Sequence, residues 1–290
     1  MAGWSDSPVV SFSRGGEDFV LGRSGEDSVL HLYGSTGLGV APVSVESSPR
    51  LTGDGSIVRG VRYDSREVYL PLFLESETVG GLSEVRRRLN RLLAPHLGPV
   101  DVRVVDPATD TDRMIRGYYT EGLDGDFGDG FHGTWQTLGL TFECPDPWWL
   151  GPERVKSLRV NPGSKPFLSE SEPFFPVVLA ESVVQGDWSV AVEGDGPVFP
   201  VWEVTGPGTD LRIIRGDDRI EIDGEVRAGE TLRIDTAAGR ITPDRWDDVS
   251  LRSRLFPLTP GTNHLNVSMV GATEDTVIRL VYRERYLEGV

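Results

Sequence analysis

Cysteine occurs once in this chain of 290 residues. A single thiol excludes an intrachain disulfide framework and leaves secretion into an oxidising space unsupported. Lysine is confined to Lys156 and Lys165, so nearly every basic side chain is arginine. That pattern fits codon usage in a GC-rich genome and carries no mechanism. His31, His96, His132 and His264 are too dispersed for an HExxH pair or a Cys/His ligand set, and no metal site is expected. No apolar run approaches the length of a membrane span. The first residues, "MAGWSDSPVVSF", lack a basic n-region and a long apolar stretch, so no signal peptide is expected. The chain reads as one made and folded in a cytoplasm. Basic charge is in deficit as well: 29 Lys and Arg face 45 Asp and Glu, a net charge of -16 with a pI near 4.7. Phosphate binding needs a basic face, so this balance argues against a general nucleic-acid binder. It argues equally against binding an anionic membrane. Acidity of this kind keeps a protein soluble, or makes a surface to which DNA does not adhere.

The chemistry of small-molecule sites is also missing. "GSTGLG" (Gly34 to Gly39) has the wrong glycine spacing for a dinucleotide fingerprint, no Walker-type sequence occurs, and no nucleotide cofactor is expected. No GxSxG elbow occurs. Asp124, Asp126 and Asp129 look like a calcium loop. The EF-hand register, however, wants Asp or Asn where Gly128 stands and Gly where Asp129 stands, so turn chemistry is the better reading. Cys144 has no basic neighbour in sequence, and Glu143 and Asp146 disfavour its thiolate. It reads as a small core residue.

What is present is turn punctuation: 35 glycines and 20 prolines, scattered without a period, which favours many short strands. The length suits two domains. In the first, "EDFVLGRSGEDSVLHLYG" reads as a hairpin and "GLGVAPVSVESSPRLTGDGS" as a loop-rich run. "REVYLPLFL" (Arg66 to Leu74) alternates as a strand. One helix is expected, over "GLSEVRRRLNRLLAPHLG", with Ser83 as N-cap, Glu84 in the first turn, and Val85, Leu89, Leu92 and Leu93 on one face. Pro95 and Gly98 stop it. Arg86, Arg87, Arg88 and Arg91 either lie in water or face another subunit. "RMIRGYYTEGL" and "TWQTLGLTFECPDP" flank the glycine-rich "DGDFGDGFHG" as a long hairpin. After Trp149, "LGPERVKSLRVNPGSKP" reads as a linker. The remainder, from "FFPVVLAES" to "VIRLVYRERYL", places short strands between turns at the spacing of a β-sandwich.

"TFECPDPWWL" (Thr141 to Leu150) then reads as a joint between domains. Its prolines hold the preceding residues extended, and the Trp pair offers large apolar area to a packed boundary. Pro147, Trp148 and Trp149 are the candidate joint residues.

A series of short motifs resembles the distal tail protein (Dit) family of long-tailed, non-contractile phages. In order they are "GLGVAP", "GDGSIVRG", "REVYLPLFL", "EVRRRLNRLLAPHLGPVDVRV", "DRMIRGYYTEGL", Trp135 followed by "LTFECPDPWW", "PVFPVWEVTGPG", "AGETLRIDT", "LFPLTPGTNHLNV" and "VYRERYL". The resemblance runs nearly end to end. It implies a mainly β protein: an N-terminal tail-tube-like β-sandwich with one helix and a long hairpin (residues 1–150, the belt), a linker (151–165), and a C-terminal galectin-like β-sandwich (166–290). It further implies a homohexameric ring in the virion tail tip, joining the tail tube protein to the tail hub (tail-associated) protein, with receptor-binding or fibre proteins held in some phages. DNA would pass through the ring without being bound. A galectin-type sugar site is not supported, because neither "RWDDVSLRSR" around Trp246 nor "NHLN" (Asn263 to Asn266) supplies its residues.

Three readings thus stand: a structural ring component, a carbohydrate- or receptor-binding module on the same scaffold, and a cell-wall hydrolase, in descending order of support. On the first, Arg86, Arg87, Arg88 and Arg91 are subunit-interface candidates. Asp124, Asp126 and Asp129 are candidates to line a negative lumen, against the alternative of a solvated outer turn. No catalytic residue is assigned, and no cofactor or membrane attachment is expected.

Overall fold

The computed structural model describes residues 8–24, 27–124, 128, 130–159 and 183–290. The chain is mainly β and divides into two compact units, one reaching to Gly151 and including Tyr286–Val290, the other Pro152–Arg285. These bounds differ from the division at 150 and 166. A tail of five residues returns to the first unit, and Trp149–Arg159 is one continuous strand where a linker over 151–165 is expected. Most of that strand is exposed, so "PERVKSLR" bears no alternation to betray it. Residues 160–165 lie outside the described residues, as does "FFPVVLAES".

In the first unit, strands β1 (Val9–Arg14), β2 (Glu17–Val20), β3 (Gly22–Ser24) and β4 (Asp27–His31) are followed by a ribbon, β5 (Val43–Pro49) and β6 (Ser56–Tyr63). Then come β7 (Arg66–Ser76), helix α1 (Val79–Leu92), β8 (Val100–Asp106), β9 (Thr111–Glu121), β10 (Phe131–His132), β11 (Trp135–Cys144) and the start of β12 (Trp149–Arg159). Residues of β9 from Thr111 to Gly117 pair with β8, in the order β2–β1–β8–β9, while Tyr118–Glu121 pair with β11, in the order β9–β11–β7–β4–β3. One long strand therefore serves two sheets. The core lies between them. Every second residue of β7 points into it: Val68, Leu70, Leu72 and Leu74 are fully buried, as period-two alternation requires.

Helix α1 covers this core with Leu82, Val85, Leu89 and Leu92. It begins earlier than the sequence indicates. Thr78, and not Ser83, is the N-cap, and its Oγ1 accepts the Gly81 N–H at 3.0 Å, satisfying one of the helix's orphan donors. Glycine at 81 lets Ser76 pack close: a Cβ there would stand 2.1 Å from Ser76 Oγ, and the serine side chain would have to turn aside.

The ribbon is a further correction. The loop-rich run holds strand β5, paired with β6 from Val43↔Tyr63 to Pro49↔Ser56 as a two-stranded sheet of its own.

The second unit follows the expected spacing. Strands β13 (Val183–Val192), β15 (Thr209–Arg215), β16 (Asp218–Ile222) and β19 (Gly261–Val270) form one sheet in the order β13–β19–β15–β16. Strands β14 (Val201–Thr205), β17 (Thr231–Asp235), β18 (Arg240–Thr242) and β20 (Val277–Tyr286) form the other, in the order β18–β17–β14–β20, with β12 beside β20. The inward residues of both sheets, Val190, Ile213, Val267, Trp202, Ile234 and Leu280 among them, make one cluster, as in a sandwich. Trp188 stacks on the fully buried Trp202 at 6.0 Å.

Candidate interaction surfaces

The four arginines of α1 do not act alike. Arg87 pairs with Glu84 one turn back at 3.1 Å, and both are exposed. Arg88 turns to its own unit. Its Nη2 donates to the Asp18 carbonyl at 2.8 Å, Nε lies 3.7 Å from Glu17, and the guanidinium sits 4.9 Å from the Phe19 ring centre. It fastens β2 to the helix, a local task that the sequence did not show. Arg91 is exposed, and its carbonyl accepts a bond of 2.6 Å from Arg14 Nη2. Arg86 is half-buried. Arg87 and Arg91 are therefore the pair that faces solvent.

The hairpin connection follows β9. Its base is pinned where the Leu123 N–H donates to the Tyr119 hydroxyl at 2.6 Å. Burial holds the Tyr119 phenol above its ordinary pKa. Gly122 (φ 114°) lies against the Gly139 carbonyl, where a Cβ would come within 2.0 Å, so only glycine fits. Asp124 is exposed just beyond. Asp126 and Asp129 lie outside the described residues.

At the candidate joint, Asp146 Oδ1 accepts the Trp148 N–H at 3.4 Å, turning the chain after β11. Trp148 is half-buried and meets Tyr63 edge-on at 5.2 Å. Trp149 is fully buried within the first unit's core, two residues before Gly151. Pro147 is half-buried.

Arg66 is the central side chain that sequence reasoning missed. It is almost fully buried. Its Nη1 donates to the carbonyls of Gly37 (2.8 Å) and Gly39 (2.5 Å), and its Nη2 to that of Leu287 (2.9 Å). The guanidinium lies 5.9 Å from the Trp149 ring centre. The tail is held further by the Gly289 N–H, which donates to the Leu38 carbonyl at 2.7 Å, and by Arg113, which donates to the Glu288 carbonyl at 3.0 Å. The three carbonyl acceptors offset part of the cost of burying this cation, while its Nε has no hydrogen-bond partner among the described residues and burial lowers its pKa. Arg66 is also the cross-strand partner of Cys144, so the thiol does have a basic neighbour, although not in sequence. The nearby charge lowers the thiol pKa. Burial outweighs it, and the pKa is pushed up to about 12.

In the second unit, the residues closest to a sugar-site pattern have structural partners. Asn263 is buried, takes a bond of 2.9 Å from Arg215, and braces the turn before β19 through the Thr259 carbonyl at 2.7 Å. Arg245, beside the half-exposed Trp246, is held by Asp248 (2.9 Å) and by the Glu225 carbonyl (2.5 Å). Among the described residues no group of three or more His, Cys, Asp and Glu side chains is placed to hold a metal ion. No helix among them is long and apolar enough to cross a membrane.

Residues 193–286 match the family described as siphovirus-type tail component, C-terminal domain. The fold is similar to that of the SPP1 Dit (gp 19.1) protein, described as a paradigm of the hub adsorption apparatus in phages infecting Gram-positive hosts. That likeness has a TM-score of 0.58 at 15% identity over 90% of this chain and 99% of that one. It is similar also to a chain of the phage P2 baseplate in its activated conformation with Ca, with a TM-score of 0.56 at 10% identity over 96% of this chain and 98% of that one. The same baseplate with Sr gives the same values. No curated protein matches by sequence. The resemblance to phage distal tail proteins thus holds in the sequence of the second unit and in the fold.

Proposed function

We propose that this chain is a structural component of the tail tip of a long, non-contractile phage. Six copies form a ring that joins the tail tube protein to the tail hub protein, and the ring acts without turnover. The first unit builds the ring. The second is the outer domain on which receptor-binding proteins can be held. The ring assembles in the host cytoplasm and resides in the virion. One coincidence carries this reading: a tail-component family match over 193–286 on a chain whose fold parallels the SPP1 Dit protein over 90% of its length.

Charge supports passage of DNA through such a ring. At -16 per chain, phosphate would find little to bind. Asp124, with Asp126 and Asp129, would keep the bore negative if the β9–β11 connection faces it. The mass of the purified protein in solution tests the assembly. Six times 31.8 kDa, about 191 kDa, is expected, with rotational symmetry in electron micrographs. A monomer at all concentrations, or an assembly without an axis, would refute the ring. Degradation of host cell wall by the pure protein would refute the structural role.

A further inference from the structure

The β5–β6 ribbon carries an apolar face that is largely exposed: Tyr63 at one end meets Trp148 of the same unit, while the valines are about half exposed or more. Residues opposite one another in an antiparallel pair share a face, so Val43 stands with Tyr63 and Val45 with Val61. Past Glu46↔Gly60 the register shifts, and Ser47 pairs with Val58, leaving Arg59 as the extra residue. A bulge of this kind transfers the residues beyond it to the other face. Without it Val58 would join the polar side. With it, Val58 extends the row of Val43, Val45, Val61 and Tyr63. The opposite face holds Ser44, Glu46 and Arg62, with Ser44 and Arg62 both bound to Asp64.

Val45, Val58 and Val61 are 57%, 58% and 65% exposed. The five apolar side chains together leave on the order of 400 Å² open, the size of the largest apolar patch on an ordinary monomer, which is often an interaction site. A two-stranded ribbon this exposed is marginal in water, and among the described residues no third strand pairs with it. The bulge exchanges one apolar residue for another on this face, bringing Val58 onto it and sending Ile57 to the opposite face beside Ser48.

The same unit has a concavity of about 640 Å³, whose lining includes Val9, Val10, Leu21, Leu30, Leu32 and Tyr33. Its one titratable histidine, His31, is held toward the neutral form by burial, and its Nε2 bonds Ser35 Oγ at 2.5 Å. The ribbon is neutral too: across 43–64, Arg50, Arg59 and Arg62 balance Glu46, Asp54 and Asp64. Two copies of a chain at -16 repel one another. A neutral apolar ribbon and a neutral apolar concavity are surfaces on which they can meet without that cost.

We propose that the Val45–Val58–Val61 face of the ribbon of one copy seats in the Val9–Leu30–Tyr33 concavity of a second copy. The inference rests on the oligomeric reading above and supplies a contact for it. Two different patches meet, so the contact is heterologous and closes into a ring when the rotation allows.

Disulfide trapping tests it, since Cys144 is the only native thiol and is buried. The full chain carrying Val61→Cys and Tyr33→Cys together should give a ladder of cross-linked copies on oxidation. Each single variant, and a control with Leu251→Cys in the second unit, should not. A cross-linked monomer would mean that the ribbon covers its own concavity, and would overturn the proposal. So would the absence of cross-links in a protein that is still oligomeric by mass, an outcome that leaves the ring reading intact. A monomeric unmodified protein would instead defeat the ring reading itself. Val61→Arg should abolish the oligomer peak while leaving the circular dichroism spectrum of a folded β protein unchanged, because the ribbon lies outside both cores; any fall in melting temperature should be no more than the loss of assembly accounts for. An oligomer that survives this substitution also overturns the contact.

Discussion

At the scale of single residues, the pair Arg66–Cys144 shows burial prevailing over a neighbouring charge. The thiol is held neutral up to about 12, whereas in an unfolded chain it titrates near 8.5. A pKa raised by folding means that the unfolded state releases its proton first as pH rises. The stability linked to this group is therefore complete below about 8.5 and declines from there toward about 12. Melting temperature followed against pH should fall across that window. The fall should be shallower in Cys144→Ala, whose melting point is lower at neutral pH because a core side chain has been cut back. Equal slopes for the two proteins would show that the thiol is not linked to folding. The native protein should also react slowly with thiol reagents at neutral pH. Arg66 left no mark in the sequence, because the groups that satisfy it are carbonyls and any residue supplies a carbonyl.

At the scale of elements, the arginines of α1 separate into two kinds, and charge reversal distinguishes them. Arg88→Glu should lower the stability of the monomer, by about 1 kcal/mol or less, because it loses a half-exposed ion pair and a ring contact. Arg87→Glu with Arg91→Glu should leave the circular dichroism spectrum unchanged and weaken assembly, if these two face a neighbouring carboxylate. Unchanged mass in that double variant removes them from the interface. Much of this level was legible beforehand. The buried face of α1, the alternation of β7 and the strands of the second unit all repeat with the period of their own structure, since each has one wet side and one dry side. The β5–β6 ribbon was not legible, because neither of its faces is buried and its Ser, Gly and Pro content is that of a loop. The register shift at Arg59 also breaks the alternation that would have marked it. The start of α1 was missed for a related reason: Gly80 and Gly81 look like a breaker, yet both lie in the first turn of the helix. The return of Tyr286–Val290 to the first unit joins residues more than two hundred positions apart, as Arg66 with Leu287 shows, and no local pattern encodes it.

At the scale of the whole molecule, charge sets the sign of the salt dependence. Six copies at -16 would carry -96, so assembly brings like charges together. Repulsion between exposed charges is long-ranged at low ionic strength, with a screening length of about 30 Å at 0.01 M, and short at 0.15 M, where it is about 8 Å. Against it would stand any arginine–carboxylate pairs between copies, typically about 0–1 kcal/mol apiece when exposed and weakened by the same salt. The proposed apolar ribbon contact would be indifferent to screening. Summed repulsion therefore outweighs the pairs, and added salt should strengthen the oligomer. Mass measured at a fixed protein concentration should shift from smaller species toward the full assembly as sodium chloride rises from about 0.01 M to about 0.15 M. A shift in the opposite direction would mean that ion pairs, with Arg87 and Arg91 the first candidates, hold the copies together, and that the ribbon face contributes little.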